Sequence, residues 1–153
     1  MKRFPFIALL FGTVLSLPAQ TFTSANKTDT KNNKNAPEIK FDVSVINFGI
    51  FDITDADKSC WFKFSNTGKE DLIIYQANAT CGCTKVSVWP KDPIKPGGRD
   101  SIKVEYDGTT RRPGTFRKVI VVKTNAKTEN AYIYIQGEMT DSAATKRINE
   151  SIK

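Results

Sequence analysis

Short runs of alternating or β-rich residues, split by turn residues, dominate the chain from residue 37 onward. In Cys60–Ser65 the residues Cys60, Phe62 and Phe64 fall on one face and Trp61, Lys63 and Ser65 on the other, which is the two-residue period of a half-buried strand. Ile39–Val43 and Val45–Phe51 predict two strands before it. Leu72–Ala77, Lys85–Trp89, Ser101–Tyr106, Phe116–Thr124 and Ala131–Met139 predict five more after it. Ile102, Val104 and Tyr106 share an inward face, as do Ile133 and Ile135, with Tyr132 and Tyr134 outward. Phe48, Phe62, Phe64, Ile102, Val104, Ile133 and Ile135 form the expected core. Turn signals separate the runs: Asn66-Thr67-Gly68, Pro96-Gly97-Gly98, Arg112-Pro113-Gly114 and Asn125–Asn130.

No run of helical length shows a 3.6-residue pattern. The expected fold class is therefore all-β: an immunoglobulin-like sandwich of about seven or eight antiparallel strands, for which about a hundred residues suffice. The antibody pattern of two cysteines flanking a tryptophan is missing, because Trp61 directly follows Cys60 and points to the opposite face.

The first residues read as an export signal. Lys2 and Arg3 precede an apolar run from Phe6 to Leu17, and Pro18-Ala19 offers a small residue for cleavage. The run falls short of the about 20 apolar residues a membrane span needs, which argues against an N-terminal anchor. Leu17 is large for its place before the cut, so cleavage can slip toward Ala25. No cysteine stands near the junction to take a lipid. The expected organisation is a signal peptide at 1–19, a polar linker rich in Asn, Thr and Lys at 20–36, one domain at 37–140 and a polar tail at 141–153. A periplasmic or secreted location follows, with no membrane span after signal removal.

Charge changes the picture little. The chain is formally +7, but Lys2, Arg3 and the lysines and arginine of the linker and tail supply most of that excess. A near-neutral body argues against a nucleic-acid surface. Arg111, Arg112, Arg117 and Lys118 read as a solvated hairpin end that an anionic partner can touch.

Histidine is absent, which removes the commonest general base and metal ligand. No Ser-His-Asp set can form, and Gly97-Gly98 lacks the Lys-Ser/Thr of a phosphate loop. The expected class is a non-enzyme, with no cofactor. Cys81-Gly82-Cys83 is the one candidate for chemistry. Its thiols can close a tight local disulfide, strained by its small ring and hence suited to redox exchange. They can instead bind Cu(I), or stay as plain loop residues. One of them can also pair with Cys60, which otherwise reads as a small buried hydrophobe. Lys85 is close enough in sequence to lower a thiol pKa.

A set of short motifs in fixed order carries a resemblance. It runs through Asn47-Phe48-Gly49, Phe62-Lys63-Phe64-Ser65-Asn66-Thr67-Gly68 and Cys81-Gly82-Cys83-Thr84. It continues with Pro93-Ile94-Lys95-Pro96-Gly97, Gly114-Thr115-Phe116-Arg117-Lys118, Thr124-Asn125 and Ile135-Gln136-Gly137-Glu138. The span Ile39–Thr140 resembles the domain-of-unknown-function family 1573 of exported Bacteroidetes-type proteins, related to hydin-like and major-sperm-protein-like immunoglobulin folds. The resemblance implies the fold and leaves activity open. Phe48, Gly49, Asn66, Gly68, Pro96, Gly97 and Gly114 are expected to be structural devices of bends and turns. Two functions stand at this level. One is a binding or scaffold module for a protein or cell-surface partner; the other is a thiol redox or Cu(I)-handling protein using Cys81 and Cys83.

Overall fold

The computed structural model describes residues 33–143. The expected signal peptide, the linker up to residue 32 and the tail from residue 144 lie outside the described residues. Eight strands follow in order: β1 (Ile39–Phe41), β2 (Val45–Asp52), β3 (Asp57–Asn66), β4 (Ile74–Ala79), β5 (Thr84–Val88), β6 (Arg99–Asp107), β7 (Gly114–Thr124) and β8 (Asn130–Thr140). A 3₁₀ turn at Ile53–Asp55, capped by the Asp52 side chain, joins β2 to β3. Sheet one has the order β1-β3-β6-β5 and sheet two the order β2-β8-β7-β4. This is the two-sheet immunoglobulin-like sandwich that the alternating runs predict.

Period two places the core. Phe62, Phe64, Ile102 and Val104 point from sheet one onto Ile120, Val122, Ile133 and Ile135 of sheet two, and all eight are fully buried. Burying an aliphatic or aromatic side chain of this kind contributes about 1.5–3 kcal/mol. Trp61, next to the buried Phe62, is 48% exposed, as the alternation requires.

Three features depart from the sequence reading. Phe48 is half-buried rather than core. It lies on an edge strand, and the ladder shifts between Asn47 and Ile50, where Gly49 has a φ of 73°. That irregularity resets the alternation, so Phe51 enters the core instead. The strand expected from Leu72 begins regularly only at Ile74, Leu72 making a single bridge to Ile94. A second shift, between Ile74 and Gln76, leaves both Tyr75 and Gln76 exposed and brings Ala77 in. Finally, β2 and β8 pair in parallel, while every other pair is antiparallel. Residue alternation marks the buried face of a strand and carries no information on its neighbour's direction.

The folded body also starts before Pro37. Ala36 is buried, its amide bonded to the Asn33 carbonyl, and Asn33 donates to Glu70 Oε1 at 3.0 Å.

Candidate functional site

Residues 80–83 carry the chain from β4 in sheet two to β5 in sheet one. Backbone bonds hold both ends of this crossing. Thr80 N donates to Val119 O at 3.3 Å, Thr84 N to Cys81 O at 3.2 Å and Asp107 N to Cys83 O at 2.9 Å. Within it Cys81 and Cys83 are joined as a disulfide, with Cα atoms 5.4 Å apart. Gly82 is exposed, and a Cβ placed on it would meet nothing within 4 Å. Cys81 is half-buried, whereas Cys83 is 4% exposed. The buried Thr84 hydroxyl sits 3.4 Å from Cys81 Sγ and 3.8 Å from Cys83 Sγ. Disulfide sulfurs carry no proton, so the hydroxyl is the donor.

A cleft of about 430 Å³ opens beside the disulfide and takes Gly82 and Cys83 into its wall. The rest of the wall comes from three neighbouring strands: Lys58 of β3, Lys103 and Glu105 of β6, and Lys85 of β5 are among its residues. Lys103 and Glu105 form an ion pair at 3.0 Å, and the lysine holds the Glu105 carboxyl below its ordinary range. The spacing Cys81-Gly82-Cys83 is readable in the sequence. The cleft is not, because strands β3, β5 and β6 meet only in the folded sheet.

Cys60 stands apart with a free thiol. It shares a row of sheet one with Val104 and Val86 and packs against the core. Burial pushes its thiol up to about 11. Among the described residues no group of three or more His, Cys, Asp or Glu is placed to hold a metal ion. A soft metal is bound by thiolates, and the oxidised pair presents none.

The other residues singled out in the sequence are spread through the fold. Asn66 and Gly68 close the turn after β3, where Gly68 N donates to Asn66 Oδ1 at 3.0 Å. Pro96, Gly97 and Gly98 lead into β6, with Gly97 N bonded to Asn66 O at 2.9 Å. Gly114 opens β7 opposite Met139. Of the expected basic hairpin end, Arg111 and Arg112 are exposed beyond β6. Arg117 instead lies on the outer face of sheet two, its guanidinium 4.4 Å from the centre of the Tyr134 ring and bonded to Gln136 Oε1 at 3.0 Å. The sequence reading missed the role of Asn66. Its side chain makes four hydrogen bonds, two of them to residues 28 positions away.

Solved structures share this sandwich. A protein of unknown function from Porphyromonas gingivalis W83 superposes with a TM-score of 0.59 at 14% identity, over 69% of this chain and 48% of that one. The chain thus spans about half the length of that protein. The ASH / PapD-like domain of human CEP192 superposes with a TM-score of 0.51 at 12% identity, over 88% of this chain and 99% of the domain. The VesB protease of Vibrio cholerae matches with a TM-score of 0.50 at 17% identity, but over only 32% of its length. At these identities the likeness is one of fold alone. No curated protein matches the chain. A family model does match, over residues 39–139, from the first strand to the end of the last, and on that match the chain belongs to the family described as Protein of unknown function (DUF1573).

Proposed function

We propose that this chain is an exported, non-enzymatic binding module that engages a protein or cell-surface partner along the outer edge of β2, which is unpaired among the described residues. One observation carries the reading. Seven large apolar residues are exposed among the described residues, and three of them, Val43, Val45 and Ile50, lie on or beside this edge strand, Ile50 at 73%. Single exposed apolar residues are ordinary, but a row of them along unpaired backbone is what an added strand requires. The face behind the edge continues the row. Val45 stands opposite Tyr134 and Tyr134 opposite Val119, on the outer side of sheet two.

Export rests on the signal-like start at residues 1–19 and is supported by a disulfide, which persists in oxidising compartments. The absence of histidine favours binding over catalysis. The near-neutral body favours a protein or surface partner over nucleic acid.

The test is capture from the host's exported fraction with three forms of the chain: unmodified, Val45→Lys with Ile50→Lys, and Trp61→Ala. A partner retained by the unmodified chain and by Trp61→Ala, but released by the lysine pair, supports the β2 edge. Equal retention by all three forms would place the contact elsewhere.

A further inference from the structure

We propose that the Cys81–Cys83 disulfide is a thiol-exchange site, attacked at Cys81 by a thiolate of a protein dithiol. This activity is separate from partner binding at β2, which is the opposite edge of sheet two from β4.

The bridge does little as a staple. Both cysteines belong to the same short crossing, whose ends are already held by the bonds of Thr80, Thr84 and Asp107. Closing so short a loop removes little entropy from the unfolded chain. The bridge is therefore dispensable to the fold, and its reduction leaves the two sheets as they are.

Access is unequal for the two sulfurs. The space over Gly82 is open, and Cys81 is half-buried where Cys83 is almost fully covered. An incoming thiolate thus reaches Cys81 Sγ, and Cys83 Sγ is the leaving group. The surroundings suit that role. The Thr84 hydroxyl lies 3.4 Å from Cys81 Sγ and 3.8 Å from Cys83 Sγ, within reach of both, and can donate to a thiolate formed at Cys83 once Cys81 is bonded to the partner. Lys58, Lys85 and Lys103 share the cleft wall with Asp57, Glu105 and Asp107, so its charges balance and the hydroxyl is the group that favours the thiolate. The cleft itself, about 430 Å³, has room for the side chains that flank an incoming cysteine. Cys60 does not interfere, because it packs on the inner face of sheet one against the core.

The exchange balances in two steps. A partner thiolate forms a bond to Cys81 Sγ as the Cys81–Cys83 bond breaks, and Cys83 leaves as a thiolate that takes up the proton the partner lost. The partner's second thiolate then attacks its own sulfur in the mixed disulfide and releases Cys81, which is protonated in turn. The dithiol is oxidised to a disulfide, and Cys81 and Cys83 are reduced to two thiols.

The experiment uses the mature chain carrying Cys60→Ser, so that only this pair reacts. Dithiothreitol under native conditions should expose both Cys81 and Cys83 to alkylation, with near-ultraviolet dichroism unchanged. Alkylation only after unfolding would overturn the proposal. With oxidised glutathione as probe, Cys60→Ser/Cys83→Ser should form its mixed disulfide at Cys81 about tenfold faster than Cys60→Ser/Cys81→Ser does at Cys83, as expected for unequal access. Equal rates, or a faster Cys83, would overturn the assignment of Cys81. Thr84→Val should slow reduction of the pair and Thr84→Ser should restore it, while an unchanged rate in Thr84→Val would remove the hydroxyl from the mechanism. Should Thr84→Val fail to fold, the glutathione comparison decides alone.

Discussion

The ring of Tyr106 lies flat on that of Phe116, with centroids 4.3 Å apart and planes 3° apart. Tyr106 belongs to β6 in sheet one and Phe116 to β7 in sheet two, so the stack ties the two sheets together near one end of the core. Phe51 meets the same Phe116 ring edge-on at 5.9 Å. The backbone opposite Phe116 is Gly137, where a Cβ would sit 3.1 Å from the ring. The ring keeps its place because that position carries no side chain.

A double-mutant cycle on this pair should show coupling. Tyr106→Ala should cost about 3 kcal/mol, as truncation of a buried aromatic does. The coupling to Phe116→Ala should be about 0.5–1.5 kcal/mol, measured from urea unfolding. Strict additivity would mean that the stack contributes no more than the area it buries.

Asn66 should be the most sensitive polar residue of the fold. It is fully buried at the end of β3. Its Nδ2 donates to Glu70 O at 2.8 Å and Ile94 O at 2.9 Å, and its Oδ1 accepts from Gly68 N at 3.0 Å and Glu38 N at 3.3 Å. Asn66→Ala strands these groups and should cost about 2–4 kcal/mol. Asn66→Asp should not rescue it, because a carboxylate cannot donate to the two carbonyls. Gly68→Ala should be comparably harmful, since a Cβ there would lie 2.5 Å from Ala36 O. Gly82→Ala, with nothing within 4 Å, should change stability by less than about 0.5 kcal/mol. Near-equal effects of the two glycine changes would contradict the close approach at Gly68.

The same residues show what was legible beforehand. Alternation in Cys60–Ser65 placed Phe62 and Phe64 inside and Trp61 outside, because strand geometry couples sequence parity to side of the sheet. Parity fails wherever the ladder slips, and it slips at Gly49 and at Tyr75, so Phe48 was placed in a core that Phe51 enters instead. Asn66 looked like a turn residue because its turn partner, Gly68, is local; its deeper partners arrive from Glu38 and Ile94. The cysteine motif was visible as spacing. Its cleft was assembled from strands far apart in the chain and left no local signal.

Acid should weaken the protein through two aspartates, the half-buried Asp52 and the exposed Asp107. The Ser142 hydroxyl is the foremost of the groups that hold the Asp52 carboxyl well below its usual range, together with the Thr54 and Ser142 amides and the Thr54 hydroxyl. The Thr109 hydroxyl and amide hold Asp107 low in the same way. Each folded value lies below the unfolded one, so the contribution is complete above the unfolded value of about 4 and fades as pH falls below it. Urea midpoints should therefore drop between about pH 4 and pH 2, and Asp52→Asn with Asp107→Asn should flatten the drop. An equally steep fall in that variant would assign acid sensitivity to other carboxylates. With no histidine in the chain, no side chain of ordinary pKa titrates between about pH 5 and 8.

Cys60, half-buried against the core, should behave as a hydrophobe with a suppressed thiol. Burial raises it from an ordinary 9.0 to about 11. Two units correspond to about a hundredfold less thiolate near neutral pH. Alkylation of Cys60 by iodoacetamide at pH 8 should be about a hundredfold slower in the native chain than after unfolding in urea, and should accelerate as pH rises toward the folded value. The folded state favours the neutral thiol, so this group's contribution to stability holds below the unfolded value and is lost as pH rises through the folded one. Cys60→Val should keep the fold, because the site already packs beside Val104 and Val86 and needs no proton donor. Native labelling as fast as unfolded labelling would mean that Cys60 faces solvent. Since β3 alternates without a shift against β6, that outcome would turn Phe62 and Phe64 outward with it.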